Sequence, residues 1–225
     1  MRTAIACAAA AAALLAASSA SAQDGAQIAW NVGVVSDYVF RGYSQTNEES
    51  AIQGGVDVTA GSFYVGAWAS NVDFGDDTKA EVDLYGGFRT EAAGFALDVG
   101  VVSYLYIEAP DGTDYDYVEF KAAASRAIGP VTAGAVVYYS PDFFGLDEEA
   151  TYVEGNLAFT PVEKWTVSGA VGYQALDVND DYTTWNAGVA YAVADNLLFD
   201  VRYHDTDVDG VLSDDRVVAG LKILF

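Results

Sequence analysis

The side chains that could do covalent or acid/base chemistry are few. His204 is the only histidine and Cys7 the only cysteine in 225 residues, whereas a nucleophile relay or an imidazole-based metal centre needs such groups to converge. His204 stands in strand phase with Asp200 and Arg202, which points it to the same side as those charges. As a general base it would serve a membrane lipase or acyltransferase, and that enzyme must turn its base toward lipid. An inward, hydrogen-bonded histidine at a barrel mouth fits its neighbours better. Glu81 and Asp83 form a close carboxylate pair that could do acid/base work, on a strand that also carries Arg89. Asp205, Asp207 and Asp209, followed by Gly210, match the first half of a calcium-binding loop, in which alternating carboxylates reach one ion. The twelfth position is Arg216 rather than a bidentate glutamate, so the stretch reads as a solvated acidic loop. No metal and no cofactor is implied.

What positions these groups is a pattern of period two, the strand signal, in place of the 3.6-residue period of helices. Twelve segments alternate in this way: Gln27 to Arg41, Ala51 to Ala60, Phe63 to Val72, Lys79 to Thr90, Gly94 to Tyr104, Tyr117 to Arg126, Val131 to Ser140, Ala150 to Thr160, Trp165 to Gln174, Tyr182 to Ala192, Leu198 to His204, and Asp215 to Phe225. In the first, Ile28, Trp30, Val32, Val34, Tyr38 and Phe40 share a face opposite Gln27, Asn31, Asp37 and Arg41, with Ser36 out of phase. Charges on alternate positions of successive strands make a poor sandwich core but an ordinary barrel lumen. By these phases the inner wall holds eight acids (Asp37, Asp57, Glu81, Asp83, Asp98, Glu119, Glu154 and Asp200) and six bases (Arg41, Arg89, Lys121, Arg202, Arg216 and Lys222). They are the expected pore-lining residues, either as a salt-bridge network that narrows the lumen or as a conducting surface. Small inward residues such as Gly33, Gly55 and Gly87 favour open space. Around Trp68 both faces are apolar and the phase stays undecided.

The expected fold class is therefore all-β: a transmembrane, antiparallel, up-and-down β-barrel of about 12 strands. Short links near Gly61, Glu91, Gly129, Pro161 and Asp195 alternate with longer acidic ones near Asn47, Asp76, Asp111, Leu146, Asp180 and Asp209, the asymmetry of periplasmic turns and outer loops. An even strand count puts both termini on the periplasmic side. Outward aromatics fall at two heights, with Trp30, Phe88, Trp165 and Phe199 near the short turns and Tyr38, Phe40, Phe120, Tyr173 and Tyr203 near the long loops, as interfacial girdles do. The last segment alternates up to Phe225, and a terminal aromatic on an amphipathic strand resembles the signal read by the barrel assembly machinery. Residues 1–22, with Arg2, an apolar run and Ala20-Ser21-Ala22, read as a cleaved signal peptide, leaving 23–225 as a single domain bound for the outer membrane. The chain is 52% hydrophobic and 19% charged with a net charge of -23, which excludes disorder and a basic nucleic-acid binder. Beyond the leader, no run reaches the roughly 20 apolar residues of a spanning helix. The long loops and their borders hold 21 acids against Lys79 alone, so an open channel should prefer cations.

Several blocks resemble the TorF family of porins: Ser36-Asp37-Tyr38-Val39-Phe40-Arg41-Gly42-Tyr43-Ser44-Gln45, Gln53-Gly54-Gly55, Phe63 through Val72, Glu81 through Phe88, and Asp116-Tyr117-Val118-Glu119-Phe120. The resemblance implies an outer-membrane barrel that passes small solutes, and it names no substrate. After Tyr104-Leu105-Tyr106 the family pattern leads one to expect proline, where this chain has Ile107-Glu108. Together these features predict a passive channel for small hydrophilic solutes or ions, with outer-membrane lipid and lipopolysaccharide as partners and no nucleic acid. A closed structural or adhesive barrel is the first alternative and a lipid-modifying enzyme the second.

Overall fold

The computed structural model describes residues 25–177 and 179–225. The expected leader and Cys7 lie outside them. Among the described residues, twelve antiparallel strands close into one barrel: β1 (Gln27–Val35), β4 (Ala51–Ala60), β5 (Phe63–Asn71), β6 (Ala80–Ala92), β7 (Phe95–Ile107), β8 (Tyr117–Ile128), β9 (Val131–Ser140), β10 (Ala150–Val162), β11 (Trp165–Leu176), β12 (Tyr182–Ala194), β13 (Leu197–Thr206) and β14 (Arg216–Leu224). Two short strands, β2 (Val39–Phe40) and β3 (Tyr43–Ser44), pair only with each other. No helix among the described residues is long and apolar enough to cross a membrane, which says nothing of crossing by strands.

Each strand pairs with its sequence neighbour, and β1 with β14 closes the ring from Asn31↔Leu224 to Val35↔Gly220. The terminal residue completes that seam. Phe225 donates its backbone N–H to the Trp30 carbonyl at 2.9 Å and accepts the Trp30 N–H at 3.2 Å, while the two rings stack with centroids 3.8 Å apart. Closure leaves the barrel sheet without an edge, as lipid requires of a β structure.

Burial is inverted relative to a water-soluble domain. Ile28, Phe63, Val65 and Val217 are exposed on the outside, whereas Glu81, Glu119 and Gln174 are each 1% exposed within. The undecided strand is settled by the same criterion: Phe63 and Val65 of β5 face out, and Tyr64 and Trp68 face in.

One expectation fails. The first segment does not continue to Arg41: β1 ends at Val35, because the Ser36 hydroxyl oxygen accepts the Ala219 N–H of β14 at 3.0 Å and ends the alternation there. Residues 37–46 then fold into the barrel as the β2–β3 hairpin. Its turn is Arg41-Gly42, with φ of 45° and 90°, two successive positive values of the kind that tight hairpins require. Tyr38 and Phe40 therefore do not belong to the outer girdle. Tyr38 is buried against Trp68, with ring centroids 5.3 Å apart, and Phe40 packs edge-on against Tyr104 at 5.9 Å. Asp37 and Arg41 likewise lie on the inward hairpin and not on a wall strand.

Candidate functional site

The site is the lumen, and its centre is the guanidinium of Arg41. From the hairpin tip it crosses to the far wall, where Nη1 and Nη2 donate to Glu119 Oε1 and Oε2 at 2.8 and 2.6 Å and Nη1 also donates to Gln174 Oε1 at 3.0 Å. The rings of Phe40, Tyr138 and Tyr152 lie 4.4–5.1 Å from its carbon. Arginine's planar fork suits this bidentate, aromatic-flanked role, which lysine could not fill. Near the hairpin's base Asp37 accepts the Ser44 and Thr46 hydroxyls at 2.7 and 3.0 Å and Arg216 Nη1 at 2.9 Å, and the Tyr38 hydroxyl donates to Glu81 at 2.9 Å.

Toward the short-turn end the charges form smaller knots. Asp98 accepts Arg89 Nε at 3.2 Å, Lys121 Nζ at 2.8 Å and the Tyr64 hydroxyl at 2.8 Å. Arg202 donates to Asn186, Ser168 and Asp200 at 2.7–3.3 Å. Among the described residues, five of the six expected wall bases are thus in ion pairs, with Asp37, Asp98, Glu119 and Asp200 as their partners. What remains is acidic. Among the described residues Asp57 accepts the Tyr85 hydroxyl, Glu154 accepts Tyr152 and Asn156, and neither Glu81 nor Asp83 is in an ion pair. Lys222 is the one wall base without an ion pair among the described residues.

His204 sits opposite Asn186 and Arg216 in register. The hydrogen bond expected of it is not formed with any described residue, since its strand neighbours across the ladder are a cation engaged with Asp37 and an amide engaged with Arg202. The Asp205–Asp209 carboxylates do not converge. Asp205 accepts the Tyr203 hydroxyl and the Thr206 N–H, and Asp207 accepts the Thr183 N–H. No group of three or more His, Cys, Asp or Glu side chains among the described residues is arranged to hold a metal ion.

Strand alternation does not by itself predict the aromatic mass that fills the loop-end half of the lumen. Tyr104, Tyr106 and Tyr117 are buried there, with Phe40, Phe74, Tyr115, Phe143 and Phe144 packed on them. The signal was present in the inward phase of Tyr104, Tyr106, Tyr117 and Glu119, and in Phe74 and Phe143-Phe144, aromatic residues set in acidic loops where solvated chain has no use for them.

Residues 19–221 match a family described as bacterial protein of unknown function, Gcw_chp. The chain belongs to that family. The TorF designation is not part of the family's description, but the porin-like barrel it implied is shared with solved structures. The KdgM porin superposes with a TM-score of 0.60 at 8% identity, covering 89% of this Gcw_chp chain and 98% of that one. The NanC porin gives 0.57 at 11% identity, over 88% and 99%. An outer membrane channel from Pseudomonas putida F1 gives 0.56 at 9% identity, over 90% and 96%. These likenesses establish the porin-type barrel fold. An inactive atromentin synthetase of Paxillus involutus is 32% identical over 94 residues, 41% of this chain; the chain spans only 10% of that protein's length, and the match indicates no activity.

Proposed function

We propose that this barrel is an outer-membrane channel for passive diffusion of small hydrophilic solutes, selective for cations and narrowed by the β2–β3 hairpin. The observation that carries the reading is the charge of the mouth, 21 loop acids and one lysine, above a lumen in which the carboxyl groups of Asp57, Glu81, Asp83 and Glu154 have no ion-pair partner among the described residues. A mouth of one sign concentrates counter-ions. Twelve strands give a bore between the filled interior of eight and the wide pore of sixteen. The KdgM porin has been solved in complex with disordered oligogalacturonate, a polyanion. The surplus charge here is of the opposite kind from what such a solute needs, so an acidic saccharide is not the expected cargo. Long acidic loops outside, termini in the periplasm, and contact with lipopolysaccharide through bridging divalent cations belong to the same reading.

Reversal potentials of the refolded protein in a planar bilayer under a salt gradient test it. Cation preference should be strong near 0.1 M salt and weaken toward 1 M, as the screening length falls from about 10 Å to about 3 Å. Anion preference at low salt would refute it. The bidentate Arg41–Glu119 bond favours a second reading, a barrel permanently plugged by its hairpin. No ion current from the wild type or from Arg41→Ala would select that one.

A further inference from the structure

At the loop end of the barrel four stretches of chain, brought together by the inward hairpin, line a half-open cavity of about 260 Å³. Its walls are apolar: Phe40 and Tyr43 from the hairpin, Phe74 from the loop after β5, Phe143 and Phe144 from a single 3-10 turn, and Leu212 from the last loop. Beside them Ser44 donates its hydroxyl to Asp37 at 2.7 Å and the Gln45 amide donates to the Tyr43 carbonyl at 3.1 Å. The wall thus offers rings and little hydrogen-bonding capacity. That suits an aromatic group and argues against a sugar, which needs a partner for each hydroxyl. An apolar cavity of about 150 Å³ suffices for benzene, so this one has room for a phenyl ring with a short side chain.

Charge narrows the class. Each loop that lends a ring or a methyl to the wall carries carboxylates next to it: Asp73 and Asp76 around Phe74, Asp142 and Asp147 around the Phe143-Phe144 turn, and Asp214 after Leu212. Lys79 is the only base in these three loops, and the two guanidiniums nearest the wall, Arg41 of the hairpin and Arg216 beside the last loop, are already neutralised by Glu119 and Asp37. We propose that the cavity binds a small organic cation bearing an aromatic ring, an arylalkylammonium, with its ring among the phenylalanines and its ammonium group in the field of the loop carboxylates.

A consequence follows for the hairpin. Phe40 and Tyr43 line the cavity only while the hairpin lies in the lumen, so a ligand there favours the hairpin-in state and lowers the ion current. That consequence rests on the channel reading, whereas the binding itself does not.

Titration calorimetry on the refolded barrel in detergent, with 2-phenylethylammonium, 2-phenylethanol and phenylacetate as probes, tests the site. Saturable binding is expected, tightest for the ammonium and weakest for the carboxylate, with a gap of about tenfold or more at low salt that closes as salt rises. Leu212→Trp, which fills the cavity, and Phe74→Ala, which removes a ring, should each weaken ammonium binding by about tenfold. Equal, non-saturable uptake of all three probes, or full affinity in Leu212→Trp, overturns the proposal; should Leu212→Trp fail to refold, the probe series and Phe74→Ala decide in its place. In bilayers, ammonium added on the loop side should reduce current in step with occupancy. Current unchanged at saturation overturns the hairpin link and leaves the site standing. Intact binding in a barrel that never conducts defeats the channel reading and not the site.

Discussion

Arg41→Ala should open the barrel, and the size of the effect follows from what the side chain touches. Arg41 and Glu119 are only 6% and 1% exposed, and two bonds of 2.6 and 2.8 Å join them. If the hairpin of the variant stays inside, the Glu119 carboxylate is left buried beside Tyr104 with no counter-charge. Breaking a buried pair in this way costs about 3 kcal/mol or more. If the hairpin swings out, water reaches Glu119 and that cost disappears. The balance between the two states therefore moves outward by roughly a hundredfold for about 3 kcal/mol, and the loss of the guanidinium's contacts with the wall rings of Tyr138 and Tyr152 adds to it in the same direction. Single-channel recording reads the outcome as a larger mean conductance. Glu119→Gln on top of Arg41→Ala should return part of the way to wild type, since a neutral amide needs no counter-charge, and the four proteins form a double-mutant cycle. Gly42→Val offers an independent push. Its φ of 90° disfavours a side chain, and an added Cβ would collide with the Thr206 methyl and press on the Thr184 hydroxyl. Wild-type conductance in both Arg41→Ala and Gly42→Val, with normal heat-dependent gel mobility, would refute the claim that this hairpin governs the bore.

Deleting Phe225 removes the ring stacked on Trp30 and two backbone hydrogen bonds at the seam, so less protein should assemble in the outer membrane; normal assembly with normal heat-dependent mobility would count against a terminal signal. His204→Ala should leave conductance within a small factor of wild type, and neither protein should release fatty acid from phospholipid; hydrolysis lost in the variant would reopen the enzyme reading. Hydrogen bonds from Thr78 and then the Tyr115 hydroxyl hold the Asp76 carboxyl below the usual range, and the Tyr173 hydroxyl and Leu176 N–H do the same for Asp181. Lowered carboxylate values stabilise these loops above the ordinary aspartate pKa and lose that effect as pH falls through the lowered one, so amide exchange at Thr78 and Leu176, compared after correction for intrinsic rates, should quicken only in acid.

How far the fold was legible follows from what enforces each pattern. Lipid on one side forces every second residue of a strand to be apolar, so the twelve strands and the inward phase of Glu81, Asp83 and Asp98 could be read from spacing alone. Apart from Ser36, nothing in the alternation marks where the chain leaves the wall, because Asp37 and Arg41 point into the barrel whether they sit on a strand or on a hairpin beside it. The break was visible only in Ser36, the one residue out of phase, and in Arg41-Gly42, a turn pair in the midst of an apparent strand. The undecided phase of Trp68 and the misplacement of Tyr38 have one cause. The rule that apolar side chains face lipid fails for both, because it assumes a wet lumen. Once the hairpin fills the loop end, the lumen there is an apolar interior of the ordinary kind, where Trp68, Tyr38, Tyr104 and Phe40 gain more by packing on one another than by facing acyl chains. Four of the five blocks that carry the family resemblance meet at this place: the hairpin from the first, Trp68 from the block in β5, Glu81 from β6 and Glu119 from β8. Residues far apart in the chain thus share a motif because one inward hairpin needs them all as partners.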